Sequence, residues 1–99
     1  PEADSLFTTS DVTAAWAYAF FAEKGISIPD QMQIIGFDGI DAARYLGITT
    51  VAQPIVEMGR TAVELLLSLS TGQSAPMKTV LPVQLISRRS TRQNIQEGT

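Results

Sequence analysis

The stretch GFDGIDAARYLGITTVAQPIVEMGRTAVELLL, residues 36–67, decides the fold of this chain. Gly36 and Phe37 complete a continuous apolar run, QIIGF over 33–37, the pattern of a strand covered on both faces. Asp38 ends that run, a short amphipathic segment follows over 40–46, and Gly47 leads into the β-branched run ITTV over 48–51, a second strand. A helix start comes next. Gln53 flanks it, Pro54 suits the first helical position, and Glu57 places negative charge near the positive end of the helix dipole. Ile55, Met58, Ala62, Leu65, Leu66 and Leu69 recur at helical spacing, and Gly72 closes the helix.

Working outward toward the N-terminus, SLFTT over 5–9 mixes β-branched and aromatic residues, and Ser10 and Asp11 are both N-cap candidates for a helix over 12–24. In that helix Val12, Ala15, Trp16, Ala19 and Phe20 define one apolar face, while Ala14, Tyr18 and Phe21 load the opposite side. A helix apolar around most of its girth has a second contact surface, another layer or a subunit partner, so Trp16, Tyr18 and Phe21 read as core or interface. Gly25 ends the helix, and the turn residues Ser27, Pro29 and Asp30 lead to the 33–37 strand, giving a right-handed βαβ unit. Toward the C-terminus, a polar linker over 73–78 precedes the strand-like run TVLPVQLIS over 79–87, in which Pro82 marks an edge, a bulge or a crossing between sheets. The polar residues from Arg88 onward read as a fraying tail. Arg88, Arg89 and Arg92 have no interleaved aromatics and read as solvated rather than as a nucleic-acid contact.

The fold class is therefore α/β, a parallel sheet with flanking helices. Composition narrows the chemistry. The 99 residues carry seven Lys+Arg, ten Asp+Glu, no His and no Cys, for a net charge of −3. That excludes a thiolate nucleophile, an imidazole base, a disulfide and a Cys/His zinc site. The acidic balance argues against this stretch itself neutralising DNA phosphates. At 44% hydrophobic and 17% charged the chain is ordinary globular material. Its long uncharged stretches, 12–22 and 65–77 among them, are too short or too interrupted to cross a bilayer. The first residue is Pro1 and no signal peptide is visible, so the chain is expected to be a piece of something longer.

In open parallel sheets, ligands bind beyond the carboxyl ends of the strands, where loops converge and helix N-termini point free N–H groups. Ser10 and Asp11 follow the first strand, Asp38 stands between Phe37 and Gly39 after the second, and Gln53 follows the third. A carboxylate accepts from two neighbouring hydroxyls, an amide donates and accepts, and an aromatic covers a sugar face or a flat ring. These residues suit a small polyol or heterocycle. Asp11 reads as a helix cap rather than a contact. Ser10 is either cap or contact, Gln53 either contact or loop bridge, and Asp38 reads as a contact in preference to a mere strand end. An enzyme using Asp11, Asp38 or Asp41 with a divalent ion would need acids that the fold does not visibly converge, so no catalysis, metal or cofactor is expected.

The 36–67 stretch closely resembles the C-terminal part of the lactose-repressor (LacI/GalR) family of bacterial transcription regulators. ADSLFTTSDVT over 3–13 is similar to that family's strand-plus-Asn-Asp segment, GISIP over 25–29 to its helix-ending turn, and LPVQLISRRST over 81–91 to its closing strand. The resemblance implies a periplasmic-binding-protein-like effector domain of two lobes joined by three crossings. In it, residues 1–52 and 83–91 belong to the C-terminal lobe, 53–82 to the N-terminal lobe, and 92–99 form a flexible tail, with the helix-turn-helix DNA-binding domain absent. Pro82 would lie at a crossing. The resemblance puts Asp38 at the acid that accepts hydrogen bonds from the effector and Gln53 at a crossover position that contacts it. Ser10 stands where many members have Asn, Gly39 where many carry a second acid, and the loop over 45–49 is shorter than the family's common form. Ser10, Phe37, Asp38 and Gln53 are thus the expected ligand-binding residues. The function implied is the effector-sensing part of a cytoplasmic repressor. It binds a sugar or related polyol, less readily a purine, between its lobes, forms a homodimer through the 12–24 helix and the 40–46 segment, and meets operator DNA through a domain this chain lacks. The alternative is a periplasmic-type sugar-binding protein of a transporter. A lone piece of such a domain would expose apolar faces and is expected not to be stable as a monomer.

Overall fold

The computed structural model describes residues 3–76 and 78–92. Its elements follow in the order β1 (Ser5–Phe7), α1 (Asp11–Glu23), β2 (Gln33–Asp38), α2 (Asp41–Leu46), β3 (Thr49–Ala52), α3 (Ile55–Ser70) and β4 (Gln84–Ile86). The strands form one sheet in the order β1-β2-β3-β4. β1, β2 and β3 are mutually parallel, and β4 runs antiparallel to β3. The apolar run of β2 takes a central position, as a strand with no polar alternation must, and Ile34 within it is fully buried.

Two compact units share the chain. One runs to Ala52 and resumes at Gln84; the other is Gln53–Val83. The first contains the core, in which Ala14, Ile34, Ala43 and Ile48 are fully buried and Tyr18, Phe21 and Leu46 pack around them. α1 therefore turns its Ala14, Tyr18 and Phe21 side inward. The Val12, Trp16 and Phe20 stripe faces outward, with Trp16 77% exposed. Helical spacing alone marks both faces as apolar; the small side chain of Ala14 is what lets α1 close on Gly36 of β2. Gly25 and Gly47 take positive φ just past the ends of α1 and α2, where a left-handed residue satisfies the last carbonyls.

Two expectations are corrected. The strand anticipated over 79–87 contracts to Gln84–Ile86, since Pro82 has no N–H to give a ladder, and pairing with β3 starts only at Gln84 opposite Ala52. The segment from Arg88 to Arg92 is no fraying tail. Ser90 is fully buried: its N–H donates to Gly47 C=O, its hydroxyl donates to Ile34 C=O, and Thr49 N–H donates to its Oγ at 2.8 Å. Arg88 donates to Ile48 C=O and the exposed Arg92 to Asp30 C=O, so both side chains tie this segment to the first unit although Arg92 stays solvated. Their polar sequence hid the burial, because the groups they satisfy are backbone atoms that no side-chain pattern reveals. The rest of the expected tail, 93–99, lies outside the described residues.

In the second unit α3 begins one residue after Pro54, whose carbonyl accepts the first helical bond from Met58 N–H at 2.8 Å. Its Met58, Thr61, Ala62 and Leu65 border a shallow groove with Thr79 and Leu81. None of its residues is buried.

Candidate functional site

Because β1, β2 and β3 are parallel neighbours, their carboxyl ends share one edge of the sheet. Ser10 lies in the turn between β1 and α1. Its Oγ accepts from Thr13 N–H at 3.1 Å, so Ser10 is the N-cap of α1. Asp38 is the last residue of β2, half-buried, and pairs in register with Ala52, the last residue of β3. Gln53 follows Ala52 directly and opens the second unit; its C=O accepts from Ile55 N–H. Phe37 is half-buried opposite Val51. By strand alternation Phe37 lies on the sheet face opposite Gly36, the residue that meets α1, and shares that face with Ile35 and Phe7.

Asp11 is not the cap that its place after the first strand suggests. It is the first residue of α1 and fully buried. One carboxylate oxygen accepts from Gly39 N–H at 2.7 Å and from Ile40 N–H at 2.9 Å, and the other accepts from the Thr50 hydroxyl at 2.6 Å. A buried acid is tolerated only when hydrogen bonds replace its lost hydration, and three donors do so here. Gly36 provides the room: a Cβ there would collide with the Asp11 carboxylate and press on Ala14. Asp11 thus joins the start of α1, the loop after β2 and the middle of β3.

The backbone at Asp38 is unusual. Its φ is 130°, a region that L-residues seldom enter, and Gly39 beside it has φ 86°. A Cβ at 39 would sit 2.7 Å from the Ala52 Cβ, so the glycine there lets the loop lie against β3. This conformation persists because its surroundings dictate it: Asp38 is paired to Ala52, Gly39 lies against Ala52, and the next two N–H groups are held by Asp11.

Sequence reasoning found the positions at the strand ends but missed the polar residues beneath them. Thr49, Thr50 and Ser90 are all buried and hydrogen-bonded. The available signal was Gly36, an unexplained glycine inside an otherwise apolar strand, which often marks a close approach. Among the described residues no group of three or more acidic, His or Cys side chains is placed to hold a metal ion. No helix among them is long and apolar enough to cross a membrane.

Residues 1–91 match the family of the periplasmic binding protein-like domain. The chain is 38% identical over 88 residues to the HTH-type transcriptional regulator MalR of Clostridium butyricum, an alignment that takes in 87% of this chain and 26% of that protein. Among solved structures, a LacI family transcriptional regulator from Enterococcus faecium with bound ribose superposes with a TM-score of 0.83 at 38% identity, over 91% of this chain and 35% of that one. The lac repressor dimer bound to operator and an anti-inducer superposes with a TM-score of 0.81 at 30% identity, over 88% of this chain and 31% of that one. The chain spans about a quarter of the length of the curated relatives it matches. On the match over residues 1–91 and the superpositions on solved regulators, the chain belongs to the periplasmic binding protein-like domain family, in the form carried by lactose-repressor (LacI/GalR) regulators.

Proposed function

We propose that this chain is the larger part of the C-terminal lobe, with one crossing segment of the N-terminal lobe, of a sugar-responsive transcriptional repressor. Its first unit would be the C-terminal lobe and Gln53–Val83 the contribution to the other. The observation that carries the reading is the strand-end edge of the sheet, where Asp38 is held in a locally enforced backbone conformation and Ser10 and Gln53 follow the neighbouring strands. Asp38 accepts hydrogen bonds from sugar hydroxyls, Gln53 adds a donor and an acceptor, Phe37 offers its ring edge or face, and Ser10 reaches the ligand directly or through water. The related structure with ribose supports a sugar, and the regulator names of the relatives favour a repressor over a transporter's binding protein.

The site holds and releases a ligand; it performs no bond chemistry. Ligand bound to both lobes favours one relative orientation of them, and the shift is transmitted to a DNA-binding domain elsewhere in the intact protein, in the cytoplasm where the operator lies. The exposed apolar stripe of α1 and neighbouring α2 would pack against a second subunit. A thermal-shift panel of pentoses, hexoses, disaccharides and purine nucleosides on the intact protein tests the ligand class. A rise in melting temperature with a sugar and none with the nucleosides is expected; a response confined to the nucleosides overturns the sugar assignment.

A further inference from the structure

We propose that Asp11 is the positioning residue of the effector site: its buried carboxylate fixes the backbone that presents Asp38 to the ligand. The inference rests on the reading of Asp38 as the sugar's acceptor and adds to it a residue that touches no ligand. Three observations converge. Asp11 is 0% exposed, so it meets no effector itself. Its Oδ2 holds the N–H groups of the two residues that follow Asp38, at 2.7 and 2.9 Å. Asp38 has φ 130°, which an unconstrained loop would relax. The remaining oxygen, Oδ1, accepts from Thr50 at 2.6 Å, which anchors the carboxylate to β3, so loop and strand end are held in one register. The omission of a side chain at Gly36 is what admits the carboxylate. Strand pairing by itself reaches only Asp38; beyond it the direction of the chain depends on Asp11.

The test is made on the intact protein with Asp11→Ala, Asp11→Asn and Thr50→Val, using hydrogen exchange at Gly39 and Ile40 and calorimetric titration with D-ribose, D-galactose and lactose. Asp11→Ala should speed exchange at these two amides by about tenfold or more, while Ile34 and Ile35 keep their protection, because two bonds to a charged acceptor are lost. Affinity for whichever sugar the wild type binds should fall by about tenfold or more, with the far-ultraviolet circular dichroism unchanged. In Asp11→Asn the amide oxygen can still accept from both N–H groups while its NH2 donates to Thr50, whose hydroxyl reverses to acceptor. That variant should recover affinity to within about threefold of wild type, which a role in bulk stability alone would not require. Should Asp11→Ala fail to fold, Thr50→Val decides, with about threefold weaker sugar binding and faster exchange at Gly39 and Ile40 expected from loss of one anchoring bond. Wild-type exchange and wild-type affinity in Asp11→Ala, or in Thr50→Val where the former does not fold, overturn the proposal. Loosened amides with unchanged sugar affinity overturn it equally. A wild type that binds none of the three sugars overturns the sugar reading beneath it, an outcome told apart by the wild-type titration alone.

Discussion

Asp38 and Asp11 are both acids just beyond a strand, yet the fold gives them different work. Asp38 terminates β2 half-buried on the edge where a ligand would lie, whereas Asp11 is enclosed by three donors from two other segments. Replacing Asp38 with Ala in the intact protein is expected to abolish the response to inducing sugar and leave operator binding intact, since each lost bond to a charged acceptor is worth ~1.5–3 kcal/mol. Titration of the sugar against wild type and variant, with operator binding followed by fluorescence anisotropy, checks this; equal sugar affinity would refute the assignment. Gln53→Ala, which removes a neutral partner, should weaken the response less. A further residue prediction concerns stability alone. Ser90→Ala leaves Thr49 N–H without its side-chain acceptor in a buried setting, so urea unfolding of the intact protein should show a loss of about 1–3 kcal/mol. The sequence made the strand-end position of Asp38 legible because five residues of strand pattern run directly into it. It left Asp11 and Ser90 illegible because their partners are backbone amides and carbonyls contributed by distant segments, and a helix cap and a buried acceptor look alike one residue apart.

At the level of elements, hydrophobic spacing located α1, β2, α2, β3 and α3 to within a residue or two, since each is governed by its own local period and ended by glycine, by an acid or, for β3, by Gln53 and Pro54. β4 was overextended because the β-branched residues before Pro82 mimic a strand, and only pairing with β3 shows where the ladder begins. The two-sided apolarity of α1 was equally plain in sequence, but which side faces the core was decided by contact with Gly36. What remains outside is a stripe of Val12, Trp16 and Phe20, and α2, which packs beside α1, adds Tyr45 at 73% exposed. Burying one such side chain at a subunit contact contributes on the order of 1.5–3 kcal/mol. Trp16→Glu combined with Tyr45→Glu should therefore weaken dimerisation of the intact protein by about tenfold or more, read by sedimentation equilibrium, with sugar binding per subunit retained. An unchanged dimer dissociation constant would remove α1 and α2 from the interface.

At the scale of the whole molecule, the two units differ in what supports them. The first has a closed layer between α1, α2 and one face of the sheet, but the other face carries Phe7 at 64% and Leu85 at 63% exposed. The second rests on α3, a helix of 16 residues with none buried. Isolated helices of about 12–15 residues are marginal in water, and α3 gains little tertiary support inside its own unit. Its Leu66, Leu67 and Leu69 instead add exposed apolar surface, which favours association over independent folding. The core of the first unit, Ala14, Ile34, Ala43 and Ile48 among the described residues, is meagre beside the conformational entropy of the whole chain. The 99-residue chain expressed by itself is therefore expected to elute in size-exclusion chromatography as self-associated species. Its circular dichroism at 222 nm should decline gradually on heating, because α3 has no buried residue of its own. A compact monomer with a single sharp transition would show that the apolar faces of sheet and helix need no further partner, and would overturn the view that both units are completed by other polypeptide.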